Sequence, residues 1–289
     1  MKTRTFLALA TTISIFFLSC EKINDPDAPN GQAGDISEAI ALETAVEAAE
    51  RVVDERLLFG SGFLRKIGTV GKYDDDPTFF STDCVSISSE STDQETLIVL
   101  TFSDNESCDD EGDHISGTLK ISISSSPENA KGTITYEDFK VNGYVLNGTK
   151  TFDVVDSNAN GNTEVSLVVD ITVETDDRTI TKKGSRLVEQ TEGGQTDTND
   201  DDVFTMTGSS NYSDTLGNSF TVEIVSPLIK SANCKYITEG IKHYTANGAL
   251  SVLDYGDGSC DSVAILTKPD GSEVEIELKY RGKGSINID

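Results

Sequence analysis

Three groups of residues are of types that could do chemistry. Asp156, Asn158, Asn160 and Gly161 take positions 1, 3, 5 and 6 of a run that continues through Asn162 to Glu164. Hard oxygens around a sharp glycine turn match the start of a calcium loop, although Leu167 stands at position 12, where a bidentate Glu is expected. An Asn- and Gly-rich hairpin turn has the same composition, so calcium at Asp156, Asn158 and Asn160 is a candidate and no other cofactor is expected. The second group is Cys84, Cys108, Cys234 and Cys260, without a CxxC spacing, and the third is the histidine pair His114 and His243, without ligand spacing. No Gly-x-Ser-x-Gly, His-Glu-x-x-His, Walker or dinucleotide pattern accompanies them, and we do not expect an enzyme.

A fifth cysteine has a different setting. Lys2 and Arg4 precede the apolar run from Phe6 to Leu18, which is too short for a comfortable membrane span and ends in Leu18-Ser19-Cys20. The small residue before the cysteine resembles the lipobox of bacterial lipoproteins, which implies cleavage after residue 19 and acylation of Cys20. Several acyl chains would then hold the chain stably at a membrane. Phe17 departs from the commonest form of that motif. Loss of residues 1–19 removes two cations and no acid, moving the formal charge from −27 to −29. Such a charge repels phosphate backbones, so nucleic acid is not an expected partner. Residues 20–34 have two prolines, two glycines and no apolar period, and read as a flexible tether.

Two kinds of element must carry these residues. From Asp35, which stands three residues before Glu38 as in a capping box, an Ala- and Glu-rich segment runs to about residue 60. Leu42, Val46, Ala49, Val53 and Leu57 form an apolar stripe for docking, and Glu43, Glu47, Glu50 and Asp54 are expected on the other side. Residues 61–289 then change to a period of two. Val165, Leu167, Val169, Ile171 and Val173 alternate with polar residues and Val168, and similar runs pass through Leu119–Ile123, Phe220–Ile224 and Val274–Tyr280. Hairpin signals separate the runs: Asn142-Gly143, Asn147-Gly148, Asn247-Gly248, Asp257-Gly258 and Pro269-Asp270-Gly271. The fold expected is all-β. About thirteen strands would form a long antiparallel meander, as a curved sheet or barrel with the N-terminal helix against it, and a β-sandwich is the alternative.

The cysteines follow an internal echo. Cys84 leads through Leu97–Asp104 to Cys108-Asp109, and Cys234 leads through Leu250–Asp257 to Cys260-Asp261, so pairing within each unit is favoured. The string Leu253-Asp254-Tyr255-Gly256-Asp257-Gly258-Ser259-Cys260-Asp261, with Asp202–Ser209, Gly217–Val222 and Gly132–Thr151, resembles uncharacterised lipoproteins of Flavobacteria and other Bacteroidota. The resemblance implies lipidation and an all-β fold and brings no catalytic residues. The expectation is a module lipid-anchored to the outer membrane at Cys20, on its periplasmic or cell-surface face, binding a surface protein or a glycan. Tyr136, Tyr144, Tyr244 and Tyr255 are candidate sugar platforms. The alternative is a carrier holding a small apolar ligand inside a barrel.

Overall fold

The computed structural model describes residues 33–54, 84–104, 109–110, 113–124, 130–196, 198 and 200–278. Cys20, Cys108 and the tether expected at 20–34, except its last two residues, lie outside them, as do the signal segment, Leu57 and Tyr280. The chain begins with α1 (Ala33–Val53). Strands follow: β1 (Val85–Ser91), β2 (Glu95–Phe102), the two-residue β3 (Asp109–Asp110), β4 (Asp113–Ser124), β5 (Lys131–Val141), β6 (Tyr144–Val155) and β7 (Thr163–Glu174). Then come β8 (Thr179–Glu192), β9 (Val203–Asp214), β10 (Ser219–Ser231), β11 (Glu239–Ala246), β12 (Ala249–Asp257), β13 (Val263–Thr267) and β14 (Glu273–Glu277).

Each strand pairs antiparallel with the next, except that β2 passes directly to β4 and β3 folds back on β4. Among the described residues the path starts at β1 and ends at β14 with no pairing between them, so the meander is one continuous sheet that does not close into a barrel. Short turns make this topology the natural one, because a tight turn can join only antiparallel neighbours. Asn142-Gly143 and Asn247-Gly248 take positive φ at both residues (52° and 90°, 50° and 80°), the backbone of type I′ hairpins. Asn147-Gly148 differs from expectation: it lies within β6. Gly148 has a φ of 119°, and a Cβ there would meet the Asp170 carbonyl oxygen at 2.3 Å, so glycine is required by strand approach rather than by a turn.

Alternation puts one apolar face inward. In β7, Val165, Leu167, Ile171 and Val173 are buried while Val168 is 57% exposed, and Leu119, Ile134, Phe139, Leu146 and Leu266 extend the core along the meander. α1 covers this face. At about 100° per residue, its buried positions from Ala49 through Leu42, Val46 and Ile36 to Ile40 span about 180° of the helix. A docking stripe of about 100° suffices on a flat surface, so the sheet curves around α1.

Candidate functional site

The acids of α1 lie inside that buried arc, which corrects the expectation that they face away from the apolar stripe. Each follows a stripe residue directly: Leu42-Glu43, Val46-Glu47, Ala49-Glu50, Val53-Asp54. One residue is about 100° of rotation, so acid and apolar stripes are neighbours, not opposites. Spacing of four, three and four stacks the carboxylates in one row, where they repel unless cations meet them.

The sheet supplies those cations from inward positions. Lys150 shares its phase in β6 with buried Leu146, Phe152 and Val154; Lys182 and Arg186 share theirs in β8 with Ile180 and Val188; Lys242 shares its own in β11 with Tyr244. Lys150 Nζ lies 2.7 Å from Glu50 Oε1 and 2.6 Å from Asp54 Oδ1. Lys182 Nζ reaches Glu50 Oε2 at 2.5 Å, and Arg186 Nη2 reaches Glu47 Oε1 at 2.9 Å. Lys242 Nζ donates to Glu43 Oε1 at 3.0 Å and stands 3.6 Å from Glu47 Oε2, while the Tyr244 hydroxyl donates to Glu43 Oε2. The four acids and four cations balance.

Aromatic rings close the spaces between charges. Lys182 lies over the Tyr212 ring and Lys242 over that of Tyr255, 5.7 and 5.9 Å from the centroids, and Tyr212 stacks on Phe220 at 4.6 Å. Tyr136, Tyr244 and Tyr255 are all buried. They belong to the interior and present no sugar platform, which leaves half-buried Tyr144 of the four expected.

The setting perturbs several groups. Burial alone would raise Glu50, but Lys150 and Lys182 overcome it and hold the carboxyl down at about 2. Burial would likewise raise Glu47, which Lys242 and Arg186 keep far below the usual carboxylate range. Its side chain is 34% exposed, so solvent screens this pair more than those of Glu50. Asp54 goes the other way: burial raises it, and Lys150 only partly opposes. Burial pushes the phenols of Tyr136, Tyr212, Tyr244 and Tyr255 upward.

At the start of α1, Glu38 accepts from Arg178, whose Nη1 also meets Asp214 Oδ2 at 3.0 Å.

The loop expected to start a calcium site folds onto β8. Asn158, Asn160 and Asn162 point their Nδ2 atoms at Glu189 Oε1, at 2.9, 3.3 and 2.8 Å. Asn158 Oδ1 accepts from the backbone amides of Asn160 and Asn162, and Asp156 contributes its backbone oxygen to Thr163. Asn158 and Asn160 are thus brought together, with Glu189 as the partner the sequence reading missed.

Cys234 and Cys260 form a disulfide that closes the β11–β12 hairpin, and Cys84 is also disulfide-bonded. His114 meets Asp104 at 3.4 Å, and His243 lies on β11, paired across the ladder with Glu223. On the outer face, cross-strand neighbours Ser122, Thr133, Thr151 and Val168 floor an open groove of about 710 Å³, with the ion pair Lys131–Asp153 at its rim. No helix among the described residues is long and apolar enough to cross a membrane.

Comparison with known proteins finds no family that matches the chain, and no curated protein or solved structure that matches it.

Proposed function

We propose that this protein is a lipid-anchored module of the outer membrane, tethered through Cys20, that acts through its outward surface in binding or in building the cell envelope. One observation favours this over the carrier: the inner face of the sheet, where a barrel would hold its ligand, is covered by α1 and its ionic row. A small apolar ligand entering there would displace charge pairs from a low-dielectric site, at the cost of leaving ions unpaired. The outward surface offers a different chemistry. Its strands carry hydroxyls and alternating charges, including Lys120–Glu137, Lys131–Asp153 and Lys183–Asp170, which favours polar partners such as a glycan or a surface protein.

The anchor rests on the sequence around Cys20, and its test is fractionation of intact cells. Cys20→Ala should move the protein from the membrane to the soluble fraction. Continued membrane association of that variant would contradict the proposal.

A further inference from the structure

The Lys150, Asp54 and Glu50 triad is more than a salt bridge in its make-up. A primary amine and a carboxyl group are held in contact, a second carboxylate touches the same nitrogen, and water is largely excluded. The side chains of Lys150, Glu50 and Asp54 are 3%, 4% and 14% exposed. An amine 2.6 Å from a carboxyl oxygen places nitrogen about 3–3.5 Å from the carboxyl carbon, the near-attack range. The Tyr136 hydroxyl is buried beside Lys150, which puts a phenol next to the reacting nitrogen.

We propose that Lys150 Nζ and Asp54 Cγ condense into an isopeptide bond that joins α1 covalently to β6, with Glu50 relaying a proton. The step balances without an oxidant or another reactant. Lys150 gives one ammonium proton to the Asp54 carboxylate that it touches, and the neutral nitrogen attacks Cγ of the protonated carboxyl while Tyr136 donates to the oxyanion. The C–N bond forms and a C–O bond breaks. Glu50 carries a second proton from nitrogen to the departing hydroxyl, which leaves as water. The charges of Lys150 and Asp54 cancel in the amide, and Glu50 ends as it began, still held by Lys182. Burial raises Asp54, which favours the protonated carboxyl that nitrogen attacks. The same burial keeps out the water that would reverse the reaction.

The test is peptide mass spectrometry on the full chain after denaturation, reduction and trypsin. The bond protects Lys150 from cleavage and yields a branched peptide joining residues 52–56 to 141–178. Its mass should be about 18 Da below the sum of its parts, one water lost in the condensation. In Asp54→Asn the leaving group becomes ammonia, so the deficit should be about 17 Da, and Lys150→Arg should give linear peptides only. Cleavage after Lys150 in the wild type, with residues 52–56 recovered as a linear peptide, overturns the proposal. So does a branch that persists in Lys150→Arg.

Discussion

Lys182 Nζ on β8 lies 2.5 Å from Glu50 Oε2 on α1, a contact made across 132 residues of sequence. Both side chains are almost fully buried, so each ion depends on its partner. Replacing such a pair by apolar residues is often tolerated, whereas removing one member strands the other. Lys182→Met should therefore cost about 3–5 kcal/mol in urea unfolding. Glu50→Gln in the same background should recover part of that loss.

The acid limb of stability should follow the carboxylates of α1. Glu47 and Glu50 are lowered in the fold, so the unfolded chain binds more protons as pH falls, and their contribution is complete only above their unfolded value, about 4.5. It declines below that and, for Glu50, is lost as pH passes down through about 2. Asp54, in chains where it is not condensed with Lys150, opposes them: it is raised, so its contribution is present at low pH and fades as pH rises through its folded value. The urea midpoint should fall from pH 5 to pH 2, and Glu50→Gln should flatten that slope. A midpoint independent of pH in this range would contradict the assignment.

The alkaline limb belongs to the phenols. Tyr136, Tyr212, Tyr244 and Tyr255 are raised by burial, so above pH 10, the unfolded value, the unfolded chain loses protons that the folded one keeps. Stability should fall there, and the phenolate absorbance of these four should appear only with unfolding.

Much of this architecture was legible in the sequence, for identifiable reasons. Strict alternation in β7 and Asn-Gly pairs at 142–143 and 247–248 impose strands and hairpins locally, whatever the rest of the chain does. The ionic row was less so. Lys150 stands in phase with Leu146 and Phe152, a visible break in an apolar face, but nothing in β6 says which acid meets it. On α1, the acids looked solvated because an acidic stripe usually is, and their burial is decided by cations 96 to 199 residues further on. Glu189 was missed for a similar reason: it gathers the three asparagines only once β7 and β8 pair.

The Cys234–Cys260 bridge spans 26 residues around the β11–β12 hairpin. Replacing both cysteines by serine should lower stability by about 3 kcal/mol in the chain-entropy account, measured as a shift in urea midpoint. Because α1 reaches β11 through Lys242, the same variant should speed hydrogen exchange of the β11 amides.

The closed inner face is tested most directly by a double-mutant cycle on Glu43 and Lys242, whose atoms meet at 3.0 Å between α1 and β11. Unfolding free energies of Glu43→Gln, Lys242→Met and the double variant should give a coupling of about 1–3 kcal/mol, with the double variant losing less than the two single losses added. Additive losses, with no coupling beyond about 0.5 kcal/mol, would mean that the ion pair does not hold α1 on the sheet.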